Sequence, residues 1–169
     1  MMIDIRLYRS RDYEAVREVF SHEQDDFAQS YLHTDEDRQD FNDYVEGALT
    51  RDLADIQRSY LEHPGSNFWV AERDGETVGC IGAYQRTGED AEIRRLAVRR
   101  DARRLGIASQ LLDHAEAFCR EYGYTRTVAW TYNHMPGAIA FLRSRGYHEV
   151  EDHAFPHTSL TLYLYACEL

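Results

Sequence analysis

The sequence predicts a mixed α/β domain that spans residues 1–169. Apolar residues recur with the two-residue period of strands in some stretches and with a helical period in others. Hydrophobic residues make up 43% of the chain and aromatic residues 12%, which is enough apolar material for one core. No linker or internal repeat separates the elements. We therefore expect a single domain with the element order β-α-α-β-β-β-α-β-α-β-β.

The first third of the chain is predicted to hold one strand and then helices. Apolar and polar residues alternate from Ile3 to Leu7, which indicates a strand. Helical spacing begins at Tyr13, so we expect a helix there with Ser10 or Asp12 as its N-terminal cap. Segment 22–55 is rich in acidic residues and keeps only a weak apolar stripe, which predicts one or two solvated helices.

Three strands are predicted in the middle of the chain. Strand-forming residues from Phe68 to Ala71 are followed by Asp74-Gly75, a pair that favours the type I′ turn of a hairpin. The return strand, Thr77–Tyr84, contains glycines at positions 79 and 82, which indicate a close approach of another part of the chain. A third strand is expected over Ala91–Val98.

The last third is predicted to alternate helices with strands. Apolar residues at helical intervals indicate a helix from Ala108 to Tyr122, which ends at Gly123. The remaining predicted elements are a strand over 127–130, a short helix over 138–144, and strands over 147–150 and 158–165.

Charge and composition exclude several classes of protein. All 19 basic residues are arginine, and the absence of lysine excludes lysine-dependent phosphate-binding loops, Schiff-base enzymes and protein kinases. The net charge of −11 argues against a nucleic-acid partner. No stretch is long and apolar enough to cross a membrane, and the N-terminus lacks a signal-peptide core. We therefore expect no membrane partner and a cytoplasmic location. Three widely spaced cysteines indicate neither a disulfide framework nor a zinc ribbon.

The most informative segment runs from a predicted strand through an arginine-rich turn into a helix. Free backbone N–H groups and the helix dipole make the first turn of a helix attractive to anions. Gly106 and Ala108 lack bulk, so a phosphate can approach the backbone, and Arg103 or Arg104 can add charged hydrogen bonds. The segment predicts a pyrophosphate site. The alternative is an exposed basic loop that balances acidic neighbours.

The run Arg103-Arg104-Leu105-Gly106-Ile107-Ala108 resembles the Q/R-x-x-G-x-G/A motif of the GNAT superfamily of acyl-CoA-dependent N-acyltransferases. The preceding Leu96-Ala97-Val98 is similar to that family's fourth strand, and Ala138–Tyr147 resembles its A-I-x-F-x-x-x-x-G-F/Y block. The resemblance covers nearly the whole chain. It implies an α/β (α+β) GNAT fold, a mixed, mostly antiparallel sheet of about seven strands flanked by about four helices.

A narrower similarity concerns segments 52–56, 59–61 and 65–72. These segments resemble the camello-like branch of the superfamily, which includes cysteine-conjugate N-acetyltransferases. We expect this chain to lack the membrane segment of that branch, so the substrate of the branch carries over only weakly.

The resemblance implies which residues hold acetyl-CoA, the expected acyl donor. Its pyrophosphate would bind backbone N–H groups of the loop and first helical turn: Arg103, Arg104, Leu105, Gly106, Ile107, Ala108 and Ser109. Leu96 and Val98 would pair their main chain with the pantetheine arm. The N–H of Leu96 or Ala97 would point at the thioester carbonyl.

Glu92 is the predicted catalytic residue. It lies six residues before Val98, where many relatives place a glutamate that deprotonates the amine directly or through water. Strand alternation predicts Glu92 and Arg94 on one face and Ile93 and Arg95 on the other. The alternative is a surface carboxylate that is paired with Arg94, and Asp90 and Glu89 at the start of the strand are weaker substitutes as the base.

The sequence departs from the family pattern at the group that protonates the departing thiolate. Relatives commonly carry a tyrosine where this chain has Leu142. That step is then left to water or another tyrosine, with Tyr132 and Tyr163 as candidates, although packing is the expected role of each. The family's asparagine position holds Met135, and we expect Asn133 to reach the cofactor instead.

The expected reaction is transfer of acetyl from acetyl-CoA to a primary amine, on a small molecule or a peptide N-terminus, by direct attack in a ternary complex. In the family's fold the region after the first strand walls the acceptor site, so its acidic residues suggest a cationic amine. Leu142 keeps a second function open, an acyl-CoA-binding sensor or partner-binding module without turnover.

Two further questions concern metals and oligomers. His153 and His157 have a spacing that could bind a metal, but no third ligand is near, so no metal is expected. The sequence leaves open whether the chain forms a homodimer.

Overall fold

A computed structural model describes residues 2–169 and contains seven strands and four α-helices in the predicted order. The strands are β1 (Ile3–Leu7), β2 (Asn67–Arg73), β3 (Glu76–Thr87), β4 (Asp90–Val98), β5 (Arg126–Tyr132), β6 (His148–Ala154) and β7 (Thr161–Glu168). The helices are α1 (Tyr13–Tyr31), α2 (Asp35–Thr50), α3 (Ile107–Tyr122) and α4 (Pro136–Ser144). Short helical turns lie at Ser10–Asp12, Asp52–Ala54, Gln57–Leu61 and Arg100–Ala102.

The seven strands form one sheet in the order β1-β2-β3-β4-β5-β7-β6. Neighbouring strands are antiparallel except for β4 and β5, which are parallel. The predicted mixed, mostly antiparallel sheet with about four helices is therefore confirmed. Helix α3 covers one face of the sheet through buried residues such as Leu111, and α1 covers the other through Val16 and Phe20. No helix of the described chain is long and apolar enough to cross a membrane.

The hairpin between β2 and β3 forms as predicted. Its central residues, Asp74 and Gly75, have φ of +53° and +85°, the two positive values that a type I′ turn requires. The expected close approach at the β3 glycines is also present. A Cβ at Gly82 would lie 2.7 Å from the buried ring of Tyr60, so only glycine fits there without a shift of that ring.

Asp12, one of the two predicted residues, occupies the N-cap position of α1, whereas Ser10 does not, and the side chain of Asp12 makes no capping hydrogen bond to that helix. Both lie in a helical turn that leads directly into it. Asp12 instead accepts the N–H of Arg9 at 2.8 Å and binds the guanidinium of Arg6 on β1. The acidic segment forms the end of α1 and all of α2, where Thr34 provides the cap for α2.

Strands β4 and β5 separate soon after they begin. They pair only from Asp90 to Glu92 on β4 and from Arg126 to Val128 on β5. Beyond this point β5 continues to pair with β7 along its whole length. The edge of β4 after Glu92 is consequently open on the side that faces β5.

An extra residue on β4 forms a bulge opposite β3. The paired residues Gly82 and Arg94 are followed by the pair Cys80 and Ala97, so β4 contains one residue more than β3 between them. Arg95, at the bulge, has φ of +57°, in the left-handed region that disfavours residues with a Cβ.

The bulge changes the face on which Arg95 lies. Its guanidinium is near the ring of Phe20 on α1, the same side of the sheet as Arg94, which stacks on Tyr84. Ile93 packs on the opposite side with α3. The prediction that Ile93 and Arg95 share a face is therefore wrong, because a bulge interrupts the two-residue alternation on which it relied.

Candidate active site

The space between the diverging strands β4 and β5 is a cleft of about 1450 Å³. Residues 92–98 of β4 form one wall and residues 129–132 of β5 form the other. The loop before α3 and the start of α4 line one end, and Arg58, His63 and Tyr84 line the other. The cleft therefore connects the arginine-rich loop with the predicted catalytic residue, Glu92.

The loop before α3 presents a run of free backbone N–H groups. Within residues 2–169, the N–H groups of residues 104–109 donate no hydrogen bond, and the first helical bond of α3 joins Gln110 N–H to Gly106 O at 3.1 Å. Arg104 and Gly106 have φ of +66° and +74°, in the left-handed region. When left-handed residues alternate with residues of negative φ, successive backbone N–H groups turn towards one concave site that suits anions. Glycine adopts such a φ without penalty. The loop thus presents free N–H groups at the place where the sequence predicts an anion site.

The two arginines of this loop differ in their contacts. Arg103 is turned inward, since its Nε donates to Val98 O at 3.1 Å and its Nη2 lies 3.0 Å from Asp26 on α1. Arg104 lines the cleft and forms no ion pair within the described part of the chain. The side chain of Leu105, which is 41% exposed, contributes nothing to the lining. Arg104 is therefore the arginine that is available to an anion at once.

Both main-chain groups of Val98 are occupied by side chains. Its N–H donates to Oε1 of Glu23 at 3.4 Å, and its carbonyl accepts from Arg103. Ala97 pairs with Cys80 of β3, so the two-residue period of a strand turns the main chain of Leu96 to the same open edge as that of Val98. An extended molecule that pairs with this edge must displace the side chains of Glu23 and Arg103.

Glu23 is a titratable group of the cleft that motif matching missed. Burial raises its pKa to about 7, against the opposing effects of Arg103 and the Val98 N–H. Its position in the sequence is a detectable signal, because it lies between Phe20 and Phe27 on the apolar stripe of α1, where a hydrophobic residue is expected. A carboxyl with a pKa near neutrality can gain or lose a proton at physiological pH.

Glu92 lines the cleft, and it is also paired. Its Oε1 lies 2.9 Å from Nε of Arg94, and Nη2 of Arg94 donates to its Oε2 at 3.1 Å. The guanidinium of Arg94 stacks 4.1 Å from the ring centroid of Tyr84, whose hydroxyl is 3.3 Å from Nε2 of His63. The structure thus combines both interpretations of Glu92, a residue of the cleft and a carboxylate bound by arginine.

Asn133 does not reach the cleft. Its Nδ2 donates to Ser159 O at 2.9 Å, and its Oδ1 accepts the N–H of Thr161 at 3.0 Å. Both ends of the amide are therefore used to join the end of β5 to the start of β7. The prediction that Asn133 contacts the cofactor is wrong, because this pairing turns its side chain away, whereas Met135 lines the cleft.

The candidate tyrosines differ in position. Tyr163 packs on the α3 side and does not line the cleft. Tyr132 lines the cleft but packs between the rings of Phe41 and Tyr44, and burial raises its pKa. Leu142 is buried in the cleft wall, with 6% of its surface exposed. Packing is therefore the observed role of both tyrosines.

The end of the cleft near Glu92 carries more arginines than acids. Its carboxylates, Glu92 and Asp52, are each held by an arginine, Arg94 and Arg95 respectively. Arg51 and Arg58 line the same region. The acidic residues at the start of α2 lie elsewhere, beside a separate shallow pocket that includes His157. The cationic-acceptor hypothesis drew on the acid excess of segment 22–55; the acids at the start of α2 lie away from the cleft, whereas Glu23, Asp26 and Asp52 of the same segment line it.

A sheet that opens between two parallel strands beside a helix N-terminus with free N–H groups is the architecture of acyltransferases of the GNAT class. The chain belongs to the acetyltransferase (GNAT) family, whose sequence model matches residues 16–147. No group of three or more potential metal ligands occurs among residues 2–169.

Two curated relatives and one solved structure illustrate the similarity. N-acetyltransferase 8 of Rattus norvegicus is 37% identical over 114 residues, which cover 64% of this chain and 51% of that protein. The probable N-acetyltransferase camello of Xenopus tropicalis is 31% identical over 133 residues, or 75% of this chain and 61% of that protein. The chain thus spans about half to three fifths of these relatives, in line with the camello-like similarity seen in its motifs.

The fold comparison extends over the whole chain. The PaiA N-acetyltransferase of Thermoplasma acidophilum, solved in complex with coenzyme A, superposes with a TM-score of 0.77 at 20% identity and covers 100% of both chains. At this identity the likeness concerns the fold alone.

Proposed function

We propose that this protein is an N-acetyltransferase that moves an acetyl group from acetyl-CoA to a primary amine by direct attack within a ternary complex. The observation that carries the proposal is the continuity of one cleft from the free N–H groups of residues 104–109, along the open edge of β4, to Glu92. The relatives named above are N-acetyltransferases, and a protein of the same fold binds coenzyme A.

The donor half of the cleft suits the parts of acetyl-CoA in order. The N–H groups from Arg104 to Ser109 would hold the pyrophosphate, with Arg104 supplying a cation. The main-chain groups of Leu96 and Val98 would pair with the amides of the pantetheine arm, as a β-strand pairs with an added peptide. These roles place the thioester beside Leu96, towards the middle of β4.

The open edge of β4 also supplies a hydrogen-bond donor for the carbonyl oxygen of the thioester. As the amine nitrogen bonds to the carbonyl carbon, negative charge develops on the carbonyl oxygen. The N–H of Leu96 would donate to that oxygen, and loss of one comparable donor costs about 3–4 kcal/mol of transition-state stabilisation. The carbon–sulfur bond then breaks, and the thiolate takes up a proton.

Two carboxyl groups can handle the protons. Glu92 would accept the proton of the attacking amine through water, since Arg94 already binds both of its oxygens. Glu23, beside Val98, lies closer to the path of the pantetheine arm and exchanges its proton near pH 7. With Leu142 at the position of the usual tyrosine, solvent or Glu23 would return the proton to the thiolate.

Two measurements test this function. Acetyl-CoA at a hundred times its Kd should stabilise the fold by about 2.7 kcal/mol, which is an easily visible rise in Tm. ATP serves as a control polyanion and should have a smaller effect. Release of free thiol in the presence of an amine panel then measures turnover. Absence of a Tm shift at millimolar acetyl-CoA would refute acetyl-CoA as the acyl donor. A Tm shift without thiol release would favour an acyl-CoA-binding sensor.

A further inference from the structure

Arg95, at the bulge of β4, is bound by a carboxylate from a distant part of the chain. Its Nε donates to Oδ2 of Asp52 at 2.9 Å, and its Nη2 donates to Oδ1 of the same residue at 2.8 Å. Asp52 belongs to the helical turn that follows α2. This two-point geometry fixes the direction of the guanidinium as well as its position.

The ion pair lies in a largely buried environment. The side chains of Arg95 and Asp52 are only 14% and 12% exposed. The Tyr60 hydroxyl donates to Asp52, and Nη1 of Arg95 donates to the Tyr44 hydroxyl at 3.1 Å. Burial by itself would raise the pKa of Asp52, but the hydrogen bonds and charge of Arg95 outweigh that effect and lower it. The pair is therefore ionised at neutral pH and well supplied with partners.

These contacts leave Arg95 little capacity to bind a substrate. All three nitrogens of its guanidinium already donate to Asp52 or Tyr44. A residue engaged in this way acts on the rest of the protein through its own backbone. That backbone is unusual, since Arg95 has a positive φ and is followed directly by Leu96.

The bulge determines where the N–H of Leu96 points. In a strand, the main-chain N–H and C=O groups of successive residues point alternately to the two neighbouring edges. Without the extra residue on β4, the residues whose main-chain groups face β3 would change places with those whose main-chain groups face the cleft. The side chain of Arg95 is tied to Asp52, which belongs to a separate element, so the bulge has an anchor outside the sheet.

We propose that Asp52 is a positioning residue that acts through Arg95 to hold the β4 bulge and thereby to aim the Leu96 N–H at the thioester carbonyl. This inference rests on the proposed acetyl transfer. It predicts a larger effect of the pair on kcat than on the binding of acetyl-CoA, because the loop of residues 104–109, which would hold the pyrophosphate, lies outside the bulge even though Leu96 also faces the pantetheine arm.

The decisive variant is Asp52→Asn, which keeps the size of the side chain but removes its charge and one acceptor oxygen. We expect kcat to fall about 10- to 100-fold, as for a misplaced oxyanion donor, while KM for acetyl-CoA changes less than about threefold. The matched control is Asp55→Asn, since Asp55 is an exposed residue whose carboxylate accepts only the N–H of Arg58 among the described contacts. Melting curves would establish that both variants fold.

Substitutions of Arg95 test the backbone part of the inference. Glycine adopts a positive φ freely and alanine does not, so Arg95→Gly should retain more activity than Arg95→Ala. Arg95→Lys keeps the charge but cannot form the two-point contact, and it should lower kcat as Asp52→Asn does. Equal activity of the glycine and alanine variants would contradict a role for the bulge conformation.

A readout that needs no turnover separates this inference from the proposed function. In ¹H–¹⁵N spectra, Asp52→Asn should shift the amide signals of Leu96 and Ala97 and leave those of residues 104–109 in place. Unmoved Leu96 and Ala97 signals, or an unchanged kcat, would overturn the inference, as would loss of acetyl-CoA binding in step with kcat. If the wild-type protein binds acetyl-CoA but acetylates no amine, the proposed function fails, and the amide signals still decide whether Asp52 holds the bulge.

Discussion

Arg94 holds the carboxylate of Glu92 at two points, with Nε 2.9 Å from Oε1 and Nη2 3.1 Å from Oε2. Both residues line the cleft, and the side chain of Glu92 is only 14% exposed. Both oxygens of this carboxylate are thus already engaged by one guanidinium. Its part in catalysis therefore depends on a water molecule or on movement of Arg94 as the acceptor binds.

Replacement of Glu92 tests its role as the proton acceptor. Glu92→Gln should lower the rate at neutral pH by at least about tenfold and have a smaller effect at high pH, where the amine is already deprotonated. The pH dependence of kcat/KM measures this difference. Glu121→Gln is the matched control, because Glu121 is exposed in the last turn of α3 and does not line the cleft. An unchanged shape of the pH profile in Glu92→Gln would remove Glu92 from the mechanism.

The raised pKa of Glu23 predicts a pH-dependent stability. The folded protein holds the proton of Glu23 up to about pH 7, whereas an exposed glutamate releases it near 4.5. Because the folded state binds more protons between these values, wild-type stability falls as the pH rises from 4.5 to 7. Glu23→Gln should therefore gain stability relative to wild type over this range and keep the gain at pH 8.

Melting temperatures at pH 5, 6, 7 and 8 would measure the gain. Glu18→Gln, on the exposed face of α1, is the matched control, and the gain of Glu23→Gln should vary with pH more than the effect of Glu18→Gln. A constant difference for Glu23→Gln as well would contradict the raised pKa.

The contact between Glu23 and Val98 predicts a pH-dependent affinity for acetyl-CoA. Pantetheine would take the Val98 N–H from the carboxylate and reduce its exposure to water, so binding favours the protonated form. Wild-type affinity should weaken about three- to tenfold more than that of Glu23→Gln between pH 6 and pH 8. Calorimetry would measure the affinity of both proteins for acetyl-CoA at each pH. Because the ligand is the same, protonation of its phosphates affects both proteins equally and drops out of the comparison. Parallel pH profiles would show that Glu23 is not displaced.

Gly106 tests the anion site. Gly106→Ala places a Cβ at φ of +74° and should cost about 1–2 kcal/mol of stability. It should also weaken acetyl-CoA binding, because the loop relaxes away from the conformation that gathers its N–H groups. Gly88→Ala is the control, since Gly88 also has a positive φ, at +50°, and lies outside the cleft. Equal acetyl-CoA affinity in the two variants would contradict the assignment.

The charge at the far end of the cleft predicts acceptor preference. Arg51 and Arg58 should favour neutral amines or amines with a carboxylate over polycationic amines, and the preference should weaken as salt screens the charges. Arg58→Ala should raise KM for a carboxylate-bearing amine several-fold. Arg38→Ala, on α2, should leave it unchanged. Faster turnover of polycations at low salt would contradict this prediction.

Local chemistry made much of the fold predictable. The turn at Asp74-Gly75 needs two positive φ values, which this pair adopts readily, and the order of strands and helices follows from apolar periodicity. The loop before α3 was found in the same way. Small residues, arginines and the start of an amphipathic helix are all adjacent in the sequence, so no distant contact was needed to recognise it.

The errors lie where distant contacts decide. Asn133 was expected at the cofactor, but its amide pairs with Ser159 and Thr161, which follow it by more than twenty residues. Arg95 was expected to share a face with Ile93, but its side chain is tied to Asp52 of a separate element. In each case a polar side chain with several possible partners took the one that tertiary packing placed nearest.

The sequence by itself determined the element order, the loop of small residues and arginines before α3 and the position of Glu92 on β4. Each depends on neighbours a few residues apart, which periodicity and turn chemistry describe. Only the tertiary structure decided that Arg95 leaves the alternation of its strand, that Glu23 meets Val98, and that Asp52 anchors the bulge. These contacts join residues that are tens of positions apart, and their geometry follows from how the helices pack on the sheet.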